Sequence, residues 1–246
     1  NYPDQPDRHS ELGSGYGLEA YPNMSRMDWA VELFQWFNYY LKDIGDEPEP
    51  MVQIQTNDGR WHVEDTWPPE DMMWNLADIG TDWMVTGDTV NGQGASVTLV
   101  SGELTELTHI SGLPTLHLEV TTQACQGGQI FATLYDNEDN LRLGHATMDV
   151  RYRDGGYDAK ATSPFSSYTM LMEFNPLDVV VPAGHTLRIE LTENGEDYLP
   201  SPCASNPLGG LTVDGGVVGL PIIDRPKSHD SWFLAPPWWE QQPIPE

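Results

Sequence analysis

The sequence has little positive charge, little cysteine and no long apolar run. Among 246 residues, 11 are Lys or Arg and 38 are Asp or Glu, which gives a formal net charge of −27. A surface of that charge repels nucleic acids and anionic membranes, so neither is expected as a partner. No apolar run approaches the ~20 residues that cross a bilayer, so we expect no membrane insertion. The chain also begins without Met or a signal-like segment, which favours a fragment or a processed product.

Lysine is the scarcest charged residue, since the chain contains only Lys42, Lys160 and Lys227. Many acids without a single acidic block, combined with few lysines, are typical of halophilic proteins. Molar salt shortens the screening length to ~3 Å and removes most of the repulsion among such acids. An ordinary acidic secreted protein is the alternative. We expect an extracellular or cytoplasmic protein of a salt-adapted microbe and favour the extracellular location.

The two cysteines, Cys125 and Cys203, lie 78 residues apart, which excludes a CxxC metal or redox motif. They form either one disulfide, if the protein is exported, or two buried thiols. A disulfide requires Cα atoms within ~7 Å of each other, and sequence alone does not place them. Both alternatives therefore stay open at this point.

Motifs for catalysis are missing as well. A nucleophile elbow requires Gly-x-Ser-x-Gly, and the chain has none. The nearest run, residues 13–17, has Leu12 in place of the first glycine and is interpreted as a flexible loop. Paired carboxylates for glycoside hydrolysis cannot be singled out among 38 acids. From the residues we nominate no catalytic residue and no cofactor.

Candidate metal ligands are scattered. The seven histidines are His9, His62, His109, His117, His145, His185 and His229. None has the HxH or HExxH spacing of a zinc site, so no metal site is predicted. His117, His145 and His185 lie in or beside strand patterns and are interpreted as structural. The acidic run 136–139 offers a weak Ca²⁺ site but lacks the glycine and distal Glu of an EF-hand loop. We interpret it as a solvated hairpin tip.

A long helix is predicted from Ser25 to about Asp43. Ser25 provides the N-cap, and Lys42 and Gly45 provide the signals for its end. Its aromatic residues lie on most sides: Trp29, Phe34, Trp36, Phe37, Tyr39 and Tyr40. A helix with apolar residues all round is expected to be buried between two bodies.

The remainder of the chain has the pattern of short strands separated by turns. A stiff connector at 47–50 and the double proline at 68–69 come first. Strands are predicted at 51–56, 96–100, 116–121, 129–135, 146–153, 168–173, 178–181 and 186–192. The fold class is therefore mainly β, an antiparallel jelly-roll β-sandwich preceded by one long aromatic-rich α-helix. Residues after Pro200 are interpreted as a Pro/Gly-rich tail whose Trp232-Phe233 and Trp238-Trp239 pack back on the body.

Several runs occur in an order that carries a resemblance. They are the aromatic helix at 33–42, the strand at 49–55, the Trp-rich element at 59–69, and the sandwich segments 112–118, 130–136, 148–153 and 181–190. The Ala-Gly-His-x-Leu-Arg run from Ala183 to Arg188 is the most specific of them. Together these runs resemble the end of an X-Pro dipeptidyl-peptidase or cocaine-esterase type α/β-hydrolase.

The resemblance implies a domain division. Residues 1–46 would be the end of a hydrolase catalytic domain, 47–85 a crossover strand and Trp/Pro-rich connector, and 86–246 the C-terminal jelly roll. The family's Ser-Asp-His triad cleaves X-Pro peptides, esters or amides, but no position here matches its serine or aspartate. Its histidine matches either His9 or a residue just before Asn1, and we favour the second placement. No catalytic residue is therefore carried over.

Two functions follow as hypotheses. The first is the non-catalytic C-terminal part of such a serine hydrolase, packed on an upstream or separate catalytic domain and shaping substrate access. The second is a stand-alone jelly-roll module for binding or surface assembly, with carbohydrate as a candidate ligand. Self-association into a homo-oligomer stays open in both.

Overall fold

The computed structural model describes residues 26–47, 52–57, 61–125, 127–155, 157–195 and 199–224. The chain folds as two compact units. The first comprises Asn1–Asp71, Asp178–Val180 and Asp224–Glu246, and the second comprises Met72–Leu177 and Val181–Ile223. No helix among the described residues combines the length and the apolarity needed to span a bilayer.

The first unit contains the predicted helix, α1 (Arg26–Lys42). Asp43 follows it with a φ of +56°. The amide of Asp43 donates to the carbonyl of Tyr39, and the amide of Ile44 donates to the carbonyl of Asn38. A left-handed residue with these two hydrogen bonds ends a helix. Asp43 therefore ends α1 before the predicted stop signal, Gly45, is reached.

A hairpin of β1 (Val52–Gln55) and β2 (Trp61–Glu64) also belongs to the first unit. Asn57 lies in the turn that follows β1. Its side-chain oxygen accepts from the amide of Val180 at 2.8 Å, and its side-chain nitrogen donates to the carbonyl of Val180 at 3.0 Å. The Asn57 amide thus pairs with Val180 as a strand residue would.

Twelve further strands are described, and most of their residues lie in the second unit. In chain order they are β3 (Met72–Asp78), β4 (Trp83–Thr86), β5 (Thr89–Val90), β6 (Val97–Ser101), β7 (Thr108–Gly112), β8 (Thr115–Thr122), β9 (Gln129–Asp136), β10 (Leu141–Asp149), β11 (Ser167–Glu173), β12 (Leu177–Val181), β13 (Leu187–Thr192) and β14 (Leu211–Ile223). One sheet has the order β10-β9-β13-β6-β4. The other has the order β11-β8-β14-β7-β12, and β3 and β5 also pair with β14. The pairings β10-β9, β11-β8 and β14-β8 are antiparallel, which confirms the predicted β-sandwich class.

The core lies between alternating faces of these strands. In β8, Leu116, Leu118 and Val120 are fully buried while the residues between them are exposed. In β13, Leu187, Ile189 and Leu191 are fully buried in the same way. This period of two is what a sheet with one face on a core requires.

The prediction for the end of the chain is wrong in part. Residues after Pro200 are not all tail, because β14 is a 13-residue strand in the middle of the second sheet. The glycines and the proline of β14 are typical of turns, so the sequence did not indicate a strand here. These residues nevertheless suit their positions in the sheet. A Cβ on Gly216 would lie 2.0 Å from the carbonyl oxygen of His117, so a larger residue would clash with β8. The predicted contacts of Trp232-Phe233 and Trp238-Trp239 lie outside the described residues.

Strand boundaries differ elsewhere too. The strand predicted at 146–153 begins earlier, at Leu141, and ends at Asp149. A short 3₁₀ helix, Val150–Tyr152, follows it, and the Asp149 carboxylate accepts from the Arg151 amide at 2.8 Å as its N-cap. Strands β3, β4 and β7 were not predicted.

A disulfide joins Cys125 to Cys203 and resolves the alternatives left open above. The half-cystine Cys203 is 3% exposed, and its amide donates to Oγ of Ser201 at 3.2 Å. Ser201 in turn donates to the carboxylate of Glu193, which is 1% exposed. Burial raises the pKa of Glu193. The disulfide therefore lies next to a buried polar pair that holds the segment before β14.

Candidate functional site

Two turns are held together by a network that we term the turn clasp. One turn joins β9 to β10, and the other precedes β13. Asp136 is 1% exposed, and its carboxylate oxygens lie 2.8 and 2.9 Å from Nδ1 of His185. The clasp comprises Asp136, Asn137, Glu138, Asn140, His185, Thr186 and Arg188. His185 has the structural role that the sequence predicts for it.

Further hydrogen bonds complete the clasp. The carboxylate of Glu138 accepts from the amide of Thr186 at 2.6 Å and from its hydroxyl at 2.9 Å. The guanidinium of Arg188 donates to the side-chain oxygens of Asn137 and Asn140, at 3.0 and 2.7 Å. It also lies 4.5 Å from the ring centre of Tyr135. These contacts explain, in terms of packing, why the His-x-Leu-Arg run has these residue types.

Charge within the clasp shifts two pKa values. The hydrogen bond from His185 to Asp136, supported by that carboxylate's charge, raises the pKa of His185. The hydrogen bond from the amide of Thr186 lowers the pKa of Glu138. Both directions favour the ionised forms of the two groups.

Two residues of the clasp, together with Asp139, also form the one candidate metal cluster found among the described residues. Asp136, Asp139 and His185 present ligand atoms within 4.8 Å of one another. However, both carboxylate oxygens of Asp136 already lie 2.8 and 2.9 Å from Nδ1 of His185, so these atoms are engaged with each other. The arrangement therefore favours a clasp over a metal centre. The predicted solvated hairpin tip is wrong for Asp136, which is buried.

An apolar surface lies on α1. Phe34, Phe37, Leu41 and Ile44 recur at helical spacing and are 65%, 38%, 73% and 58% exposed. Trp36 packs its ring 4.8 Å from that of Tyr40 and is also exposed. We call the exposed residues at 34, 36, 37, 40, 41 and 44 the helix stripe. Side chains of this size and exposure in one patch mark a surface that another body covers.

A second apolar surface lies on the outer face of the seven-stranded sheet. Trp74 and Leu76 point to one side of β3 and are 49% and 67% exposed. They lie over Gly219 of β14, since a Cβ there would be 3.3 Å from Leu76 and 3.4 Å from Trp74. The glycine therefore leaves room for both side chains close to the backbone of β14.

The remaining sequence candidates divide into two groups. His9 and the glycine run at 13–17 lie outside the described residues. His117 is exposed on β8, and the ring of His145 lies 5.6 Å from that of Phe131. The positions of His117 and His145 do not test the prediction that the chain supplies no catalytic residue. That statement therefore stays a prediction.

Residues 77–208 match the profile of the X-Pro dipeptidyl-peptidase C-terminal non-catalytic domain. This stretch is more than half of the chain. The chain belongs to this family. The sequence resemblance to X-Pro dipeptidyl-peptidases and cocaine-esterase type hydrolases is thereby confirmed.

Relatives of this non-catalytic domain family agree with the assignment. A Bacillus anthracis protein designated an Xaa-Pro dipeptidyl-peptidase is 24% identical over 229 residues, which cover 81% of this chain and 38% of that protein. An aminopeptidase from a marine sediment Thaumarchaeota archaeon superposes with a TM-score of 0.61 at 14% identity, covering 82% of this chain and 46% of its own. A CocE/NonD family hydrolase from Staphylococcus aureus gives 0.57 at 14% identity, with 80% and 46% covered. The chain thus spans less than half the length of each relative.

Proposed function

We propose that this chain is the non-catalytic C-terminal part of a serine hydrolase and packs on an α/β-hydrolase catalytic domain. There it shapes the access of substrate for peptide, ester or amide hydrolysis. The supporting observation is the helix stripe, whose large apolar side chains are exposed in the chain by itself. Membership of a non-catalytic domain family supports the same proposal.

The energetics of burial explain why the stripe needs a partner. Covering apolar surface is worth roughly 25 cal/mol per Å², and a fully buried Leu or Phe side chain gains about 1.5–3 kcal/mol. Phe34 and Leu41 gain little of this burial free energy in the chain alone, because their side chains are 65% and 73% exposed. If a hydrolase domain covered these two side chains, docking would be stabilised by their burial free energy. We place the helix in residues 1–46, the segment that we assign to the end of the catalytic domain.

A covalent probe tests the proposal. The native assembly is purified at molar salt and labelled with a fluorophosphonate, which reacts with activated serines. We expect the label on a polypeptide or segment outside residues 1–246, bearing a Gly-x-Ser-x-Gly serine and remaining associated with this chain. Label within residues 1–246, or a chain that purifies without any labelled partner, would contradict the proposal.

The alternative is a stand-alone binding module. It rests on Trp74, which is half-exposed and whose ring lies against Gly219 of β14. Such a ring offers a platform for a sugar. Affinity for a soluble glucan that is lost in Trp74→Ala, in a chain that carries no labelled partner, would favour this function over the first.

A further inference from the structure

The loop before β11 carries a strained and exposed aromatic residue. Phe165 has a φ of +56° and is 74% exposed. Left-handed backbone is common for glycine and a genuine outlier for a bulky residue. Strain of this kind persists only where the surroundings impose it, and it clusters at functional sites.

A buried threonine imposes the strained conformation. Thr122, at the end of β8, is fully buried, and its carbonyl accepts from the amide of Phe165 at 2.9 Å. Its hydroxyl donates to the carbonyl of Ser163 at 2.6 Å and accepts from the amide of Ser166 at 3.2 Å. The backbone on both sides of Phe165 is thus fixed to the sandwich, while the Phe165 side chain remains in solvent.

The rest of the loop is built in the same manner. We call residues 157–166 the Phe165 loop. Tyr168 accepts from the amide of Ser163 at 2.8 Å, and the guanidinium of Arg153 lies 4.4 Å from the Tyr168 ring. Tyr157 is fully exposed at 102%. The loop therefore presents Phe165 from a hydrogen-bonded frame, which is the preorganisation that a binding anchor needs, and Tyr157 is exposed on the same loop.

The charge around the Phe165 loop differs from that of the rest of the molecule. Arg151, Arg153 and Lys160 are three of the chain's eleven basic residues, and Asp149, Asp154 and Asp158 accompany them in residues 149–160. Asp149 pairs with Arg151 at 2.6 Å, so this segment is formally neutral. The chain as a whole has a net charge of −27. An acidic partner would be repelled by most of this surface and tolerated here.

We propose that the Phe165 loop is a docking anchor, which inserts Phe165 into an apolar pocket on the α/β-hydrolase domain. This inference rests on the function proposed above, and membership of a non-catalytic domain family is the reason for choosing that occupant. A second copy of the chain is the competing occupant, and it would protect Phe165 in the chain alone as well as in the assembly.

Footprinting of the native assembly tests the anchor directly. Hydroxyl-radical oxidation of Phe165 and Tyr157 is compared between the hydrolase assembly and this chain alone. We expect oxidation of Phe165 to fall at least ~10-fold in the assembly, as for a residue at the centre of an interface. Leu199, which is 88% exposed and outside the loop, serves as the control and should oxidise equally in both samples.

A substitution separates docking from folding. Phe165→Gly removes the ring and relieves the left-handed strain, so the chain alone should melt at the same or a higher temperature. The same change should weaken its association with the hydrolase domain at least ~10-fold. The matched control, Leu199→Ser, should alter neither property.

Each outcome decides between the two proposals. Unchanged oxidation of Phe165 in an intact assembly, or wild-type association of the Phe165→Gly chain, would overturn the anchor and leave the hydrolase function standing. A lower melting temperature for Phe165→Gly would show that the ring is a structural element and would also overturn it. If the wild-type chain associates with no hydrolase domain, the proposed function fails and the anchor fails with it.

Discussion

Large apolar side chains are buried in the sandwich and exposed on the helix. In the sandwich, Trp83 and Phe174 are 2% exposed. On α1, Phe34 and Leu41 are 65% and 73% exposed. The sandwich therefore draws stability from its own burial, whereas the helix stripe contributes only when another surface covers it. A domain of this type can be stable by itself and still be incomplete as a functional unit.

Removal of the disulfide should show the largest effect and should act on the sandwich. Replacing Cys125 and Cys203 together by Ala removes a cross-link that spans 78 residues. The unfolded chain then gains conformational freedom, and we expect the free energy of unfolding to fall by about 4 kcal/mol. Urea denaturation at molar salt measures it.

The matched experiment for this prediction is chemical. Reduction of the wild-type chain under the same conditions should lower its stability by a similar amount and should leave the double variant unchanged. A loss below ~1 kcal/mol in both samples would mean that the unfolded chain is already constrained by other means.

Two side-chain truncations test the contrast between the buried sandwich core and the exposed helix stripe. Leu134 is fully buried in β9, so Leu134→Ala should lower the free energy of unfolding by about 3 kcal/mol through lost burial and a cavity. Leu41→Ala on the helix stripe should change it by less than ~0.5 kcal/mol. Equal losses at the two positions would show that α1 is covered in the chain alone.

Salt should change stability through the acidic surface. We expect the melting temperature to rise by roughly 4–8 °C between 0.1 and 2 M KCl, which corresponds to about 2 kcal/mol for a chain of this size. Sucrose at equal osmolality is the control, since it is excluded from the surface without screening charge. A flat KCl profile would remove the halophilic interpretation, which until then stays a prediction.

Much of the fold could be predicted from the sequence because its signals are local. Alternation in β8 and β13 follows from which residues face the core, and the helical spacing of the apolar residues in α1 marks the helix. β14 could not be found in this way, since Gly215, Gly216 and Pro221 are turn signals in any local reading. Their reasons are tertiary, such as the close approach of Gly216 to His117 of the neighbouring strand.

The functional surfaces show a similar limit. The aromatic content of α1 predicts a helix buried between two bodies. The helix stripe is exposed in the chain alone, so this burial stays a prediction. Phe165 carried no signal, because nothing in Ser-Pro-Phe-Ser indicates a left-handed phenylalanine. Its position depends on Thr122, which is 43 residues earlier and meets it only in the folded chain.

The smallest expected effect is the pH dependence of the turn clasp. His185 has a raised pKa in the folded chain, owing to its hydrogen bond with Asp136 and to the charges of Asp136, Asp139 and Glu138. The folded state therefore binds more protons than the unfolded state between the ordinary value of 6.5 and the raised one. The contribution of His185 to stability is complete below pH 6.5 and is lost as pH rises through its folded-state pKa.

His185→Gln isolates this contribution, because glutamine keeps a hydrogen-bond donor and has no titrating charge. We expect the wild-type chain to exceed the variant by less than ~1 kcal/mol at pH 6, since the pair is partly exposed. That advantage should decrease steadily toward pH 9, as measured by urea denaturation at fixed molar salt. A stability difference between wild type and variant that stays constant or grows with pH would show that the clasp stabilises the fold by packing and not by charge. The geometry of the two turns would then depend on shape complementarity alone.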